Sequence, residues 1–137
     1  MKTQQKQQRN EEPTFDLQRD EKELVDELAE RQAKKFPYPR LKSTQLRKFF
    51  GEVKDLYRRL TQGQDYEKQI EPEFKMLRSK VYYAHRKSGE DRVPRKFVDF
   101  IDNGVRTVEK KEDFEKFVRH FEAVVGFWYG KYGRKES

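Results

Sequence analysis

FKMLRSKVYYAHRK, Phe74 to Lys87, is the stretch on which the reading of this chain turns. At about 100° per residue, Phe74, Leu77, Val81 and Ala84 share one narrow face, the spacing of a helix that buries one side. Beside that stripe Lys75, Arg78, Tyr82 and Arg86 line up, so a row of cations carries an aromatic ring in its middle. Such a row neutralises phosphates, and an exposed ring lets a base stack whatever its identity. The plainer reading is a solvated helix face, because Lys and Arg lie outside in most proteins.

Helical periodicity recurs on both sides of this stretch. Leu46, Phe49, Phe50, Val53, Leu56, Tyr57 and Leu60 keep the 3.6 period without a miss, with Ser43 or Thr44 as cap and Gly63 as stop. Arg47, Lys54 and Arg58 project from one flank of that helix. Gly51, between them, leaves room for another backbone, either a packed helix or a phosphate chain. Asp65 to Glu71 predicts a short helix bearing Tyr66 and Ile70, and Pro72 either kinks it or opens the Phe74 helix. Ser88 and Gly89 end the Phe74 helix, followed by the charged loop GEDRVPRK. Pro94 starts another helix, with Phe97, Phe100, Ile101, Val105 and Val108 inward and Gly104 on the same face, which points to close helix contact. From about Lys111 to Gly130 a last helix buries Phe114, Phe117, Val118, Phe121, Val124, Val125 and Trp128, and Arg134 to Ser137 are expected to fray.

The N-terminal part is thinner. MKTQQKQQRNEE, Met1 to Glu12, has no apolar anchor to offset the entropy of ordering and reads as a disordered tail. Thr14 looks like the N-cap of a helix to about Lys35, whose seam of Leu17, Leu24, Val25 and Leu28 is narrow enough to be peripheral, or exchanged onto a neighbouring molecule. FPYPRL, Phe36 to Leu41, then forces an extended connection. No stretch alternates as a strand does. The class is therefore all-α: a compact bundle of about five helices, a single domain over 13–137.

Composition bounds the partners. Of 137 residues 33% are hydrophobic and 42% charged, yet eleven Phe, seven Tyr and one Trp supply a core from few, large rings. The net charge is +7, which favours polyanions. The charge is segregated: Met1 to Ala33 holds nine acids and six bases, Lys34 to Gly63 nine bases and two acids, Lys75 to Lys96 eight bases and two acids. There is no cysteine, hence no disulfide, thiolate metal site or cysteine nucleophile. No apolar run approaches the roughly 20 residues of a membrane span and no signal-peptide core is present, so a cytoplasmic protein without membrane association is expected.

Catalysis finds little footing. His85 and His120 lie on separate helices without the carboxylate spacing of a metal site and read as surface or boundary residues. Asp16 with Asp20 and Glu23 with Glu27 suit a solvated helix face. Phosphate-binding glycine loops, nucleophile elbows and HExxH are missing, so neither enzyme activity, metal nor cofactor is expected.

The order of LKSTQLRKFFGEVKDLY (Leu41 to Tyr57), FKMLRSKVYYAHRK and the aromatic EKFVRHFEAVVGFWYG resembles the small helical subunit, subunit two, of type III-A CRISPR Csm effector complexes. The similarity runs from about Leu41 to Tyr132, and the N-terminal helix fits by position only. Ser79 and His85 stand where family members often have a proline and small residues. The resemblance implies a non-catalytic subunit of an antiviral complex, present in several copies beside the filament that holds the guide RNA, and lining the channel for single-stranded target RNA and its guide duplex. The matching basic positions are Arg47, Lys48, Lys54 and Arg58 in the first motif and Lys75, Arg78, Lys80, Arg86 and Lys87 in the second, with Tyr82 as the stacking ring. Sequence-independent phosphate contact is the expected mechanism, since guide pairing would supply specificity. Two alternatives stand beside it. One is a helical scaffold whose basic surface binds acidic partners or a second copy, giving a homodimer when isolated. The other is a helix-turn-helix DNA binder, which lacks the short turn and recognition face.

Overall fold

The computed structural model describes residues 12–86 and 92–136. Apart from Glu12 the expected N-terminal tail lies outside these residues, as do Lys87 and 88–91 of the charged loop. Every regular element among the described residues is helical: α1 (Glu21–Leu24), α2 (Glu27–Lys35), α3 (Ser43–Thr61), a π-helical turn (Tyr66–Ile70), α4 (Glu71–Arg86), α5 (Arg95–Thr107) and α6 (Lys111–Glu136). None is long and apolar enough to cross a membrane.

Two successive turns of α6 collect the rings that make the core. Phe117 meets Phe15, Phe74 and Phe100 with centroids 5.2, 5.7 and 5.6 Å apart. One turn on, Phe121 meets Phe50 of α3 and both Phe97 and Phe100 of α5. Several of these pairs are edge-on, the arrangement favoured by the ring quadrupole, and each is worth about 0.5–1.5 kcal/mol beyond the area it buries. This is how a chain with few apolar residues closes a core. Gly104 brings α5 against α6 as its position on the inward face suggests: a Cβ there would overlap the Phe117 ring.

Several boundaries follow the sequence and several do not. Gly63, at φ +104°, turns the chain after α3, and Pro72 lies in the first turn of α4. Ser43 is the first residue of α3 rather than its cap; Lys42 holds the cap position, its backbone N–H donating to Gln45 Oε1 at 3.0 Å. Helix α6 continues past Gly130 and Gly133 to Glu136, beyond its expected end at about Gly130.

The larger correction is at the N-terminus. Thr14 caps no helix; it is buried, and Phe15 beside it is 2% exposed within the ring cluster. The helix expected from Thr14 to Lys35 is two pieces, α1 and α2, broken at Val25 and Asp26. The Leu24 carbonyl, which a continuous helix would spend on its own backbone, accepts from His120 Nδ1 at 2.6 Å. Burial of Leu24, Leu28, Ala29 and Ala33 seats α1 and α2 on α6 of the same chain, and Arg119 of α6 pairs with Glu21.

His120 is accordingly no surface residue: it is fully buried. With its Nδ1 proton given to Leu24, the imidazole has Nε2 3.1 Å from the Thr14 hydroxyl oxygen. That hydroxyl donates its one proton to Gln32 Oε1 at 2.6 Å. Burial holds the imidazole at about 4, and the Leu24 hydrogen bond offsets only part of that shift.

Two outcomes are expected. Gly104→Ala should cost about 1–3 kcal/mol through overpacking against Phe117, read from urea denaturation midpoints; an unchanged midpoint would mean that the ring moves aside freely. Between pH 6.5 and about 4 the unfolded state binds a proton at His120 that the native state does not. Stability attributable to this residue is thus complete above the unfolded pKa and falls with pH, by roughly 3 kcal/mol in all. Denaturation of the native chain and His120→Asn across this window should show a shallower pH slope for the variant, and parallel slopes would refute a buried neutral imidazole.

Candidate nucleic-acid interface

Helices α3 and α4 diverge to leave an open groove of about 710 Å³. Arg47, Lys48, Arg59 and Lys80 line it, and Gly51 lies in its wall with nothing within 4 Å of where a Cβ would stand. The packed helix expected at Gly51 is therefore not there. The groove is not uniformly cationic, because Glu52, Asp55 and Glu73 line it too. Lys80 reaches Glu52 at 3.4 Å and Arg59 reaches Glu73 at 2.5 Å, both across the two helices. Glu52 Oε2 is buried with no hydrogen-bond partner among the described residues, a liability for a phosphate brought close.

The flank carrying Arg47, Lys54 and Arg58 is divided. Arg47 Nε donates to Tyr129 Oη at 3.4 Å, and Lys54 pairs with Glu122 at 3.0 Å, so both lean toward α6. Arg58 turns back along its own helix to Asp55 at 2.5 Å. Lys48 stays exposed, its ammonium 5.9 Å from the Phe49 ring centroid.

On α4 the row singled out by the wheel does occupy one flank, and that flank faces α5. Arg78 Nε donates to Asp102 Oδ1 at 2.6 Å, and Arg106 holds the other oxygen at 3.0 Å. Partial burial pushes the Asp102 carboxyl up, but hydrogen bonds and charge from Arg78 and Arg106 more than offset this and leave it below the usual carboxylate range. Tyr82 is half-buried, with the Arg78 and Arg95 guanidinium carbons 6.0 and 5.9 Å from its ring centroid. It is thus not the open stacking platform expected. The ends of the row differ from its middle: Lys75 and Arg86 are exposed and form no ion pair among the described residues. Lys87 lies outside the described residues.

Of the nine described candidates, then, Lys54, Arg58, Arg78 and Lys80 already face carboxylates, while Lys48, Lys75 and Arg86 do not. Exposed pairs are worth only about 0–1 kcal/mol, so a phosphate can exchange for the carboxylate at Arg58 or Lys80. Arg78 is held more firmly, being the least exposed of the four pairs on both sides. The large exposed hydrophobic side chains on α4 are Met76 and Tyr83, 54% and 69% exposed. The same wheel that defined the flank puts these two opposite the core, so they were open to detection. Lys35, Arg40 and Lys42 are counted in the basic segment but not among the candidate site residues. They line a second cleft with Arg92, Arg95 and Lys96, a grouping no linear window joins.

His85 Nδ1 donates to the Val93 carbonyl at 2.7 Å, His120 is sealed in the core, and no cluster of His, Asp and Glu able to hold a metal occurs among the described residues. No curated protein and no solved structure matches the chain. A family model described as Csm2 Type III-A matches residues 19–133, which extends the likeness beyond the helices from Leu41 onward to the whole of α1 and α2. The chain belongs to the Csm2 family, the small subunit of type III-A CRISPR Csm complexes.

Proposed function

We propose that this chain is a non-catalytic, RNA-binding structural subunit of a type III-A interference complex, holding target RNA by phosphate contacts that ignore sequence. The observation that carries the reading is the pair Lys75 and Arg86, exposed on one flank of α4 and outside any ion pair among the described residues. Eleven residues apart, they are separated by about 16 Å of helix rise, a span that suits a strand running along the flank rather than a single small anion. Lys48 adds a third exposed cation across the groove. Guide pairing can supply specificity in such an assembly, leaving the protein to neutralise charge.

Copies of the chain and the other complex subunits are the protein partners in this reading, and the guide–target duplex is the nucleic acid it borders. A scaffold reading would gain support from an acidic N-terminal helix free to cover the basic tract. That acidic segment is seated on α6 of its own chain through Leu24, Leu28 and the Glu21–Arg119 pair, so the support is weaker than the sequence suggested.

Lys75→Glu combined with Arg86→Glu should weaken binding of unrelated single-stranded RNAs about equally, with unchanged helical circular dichroism. The slope of log K against log salt should flatten by roughly 1.4, at about 0.7 for each single-strand phosphate no longer neutralised. Arg78 is better left intact in this test, because a carboxylate there would oppose Asp102 and confound binding with folding. Fluorescence anisotropy across a salt series decides the matter: weakening confined to some sequences, or none at all, rejects the flank as the RNA-binding surface.

A further inference from the structure

The cleft between the Phe36–Leu41 connection and the start of α5 is lined by Lys35, Arg40, Lys42, Arg92, Arg95 and Lys96, and among the described residues by no carboxylate. Its volume is about 1040 Å³, larger than the α3/α4 groove, where four cations face three acids. Pro37, Pro39, Val93 and Pro94 form its apolar walls, and His85 borders it. At its margin Asp99 pairs with Arg95 at 3.0 Å, and Lys35 Nζ donates to the backbone carbonyl of Glu12 at 2.8 Å. Arg92 donates to His85 Nε2 at 3.4 Å.

Holding Lys35, Arg40, Arg92, Arg95 and Lys96 around one cleft costs free energy through their mutual repulsion. Burial first, and then the neighbouring charges of Lys96 and Arg31, hold the Lys35 ammonium below its usual value. The start of α5 adds to the same imbalance. Its first turn contains no acid and carries Arg95 and Lys96, and its cap position, Pro94, supplies no side-chain acceptor. A helix start favours negative charge, so two cations there oppose the dipole unless an anion sits between them.

We propose that this cleft is a phosphate-binding site, separate from the α4 flank, that takes the phosphodiester backbone of a single-stranded RNA and carries the larger part of the chain's electrostatic affinity. The proposal rests on the proposed function only for the choice of RNA as the polyanion. The concave shape, the planar forks of Arg40, Arg92 and Arg95, and the unspent α5 amides match the geometry of phosphate oxygens more closely than that of scattered carboxylates on a folded partner.

Arg40 and Lys96 are exposed and in no ion pair among the described residues, so changing them spares the core. In anisotropy titrations of a fluorescein-labelled oligouridylate with the full chain, Arg40→Glu with Lys96→Glu should lower affinity more than tenfold at low salt. It should also flatten the salt slope by roughly 1.4. Arg40→Gln with Lys96→Gln should show a smaller drop in the same direction, and it serves as the readout if the Glu pair melts early by circular dichroism. Unchanged affinity in the Gln and Glu pairs overturns the proposal. If the cleft variants fail to bind while Lys75→Glu with Arg86→Glu binds normally, the cleft stands and the flank assignment falls; the opposite result removes the cleft and keeps the flank. Polyglutamate of equal charge that displaces the oligouridylate as well as unlabelled RNA does would overturn the choice of nucleic acid and assign the cleft to an acidic protein.

Discussion

The contact between Gly104 and the Phe117 ring sets how closely α5 approaches α6, and much of the remaining architecture depends on that distance. With α5 pressed in, Phe97 and Phe100 reach Phe121, and Phe36 from the connection before α3 closes on the same two α5 rings with centroids 5.4 and 5.5 Å away. Rings from the N-terminal segment, α3, α4 and α5 thereby meet on α6. Because aromatic side chains bury about 150 to 250 Å² each, a small number of such residues offsets an otherwise polar composition. The remaining surface is left free to be charged.

That surface distributes its charge unevenly, and the unevenness separates structural from functional cations. Where two helices face each other, as at Arg78 with Asp102 or Lys80 with Glu52, cations meet carboxylates that limit repulsion and help set the helix spacing. Where the chain leaves the bundle, at the end of α2 and the start of α5, the cleft lining shows no carboxylate among the described residues. A net charge of +7 averages over both situations. The location of unpaired charge, rather than its total, indicates where a polyanion would bind.

The helices from Ser43 onward were legible because their apolar residues recur at 3.6 over several turns, and Gly63, Pro72 and Gly104 each mark a local requirement that the structure meets. The N-terminal segment was not legible for a specific reason. A seam of Leu17, Leu24, Val25 and Leu28 fits one helix as well as two, and the break at Val25 depends on His120, about a hundred residues away in the chain, taking the Leu24 carbonyl. The site was readable to a lesser degree. The wheel correctly aligned Lys75, Arg78, Tyr82 and Arg86, but which of them would meet Asp102 or Arg95 depends on the packing of α4 on α5, which no single-helix projection contains. The cleft was least accessible of all, since its cations come from segments some fifty residues apart.

The buried polar group at the N-terminus links these two levels. Thr14 donates to Gln32 and lies against His120 inside an apolar core, an arrangement whose cost if broken exceeds its benefit when intact. Gln32 sits one turn before Lys35 on α2, so the bond that ties Gln32 to Thr14 and α6 also fixes where α2 ends and where the Phe36–Leu41 connection departs. Phe36, 1% exposed against Phe97 and Phe100, holds the other side of that exit. The cationic wall of Lys35, Arg40 and Lys42 is therefore positioned by core contacts rather than by the surface charges themselves. A cluster of like charges can persist only on such terms, because its own interactions push it apart while the interior holds its backbone in place.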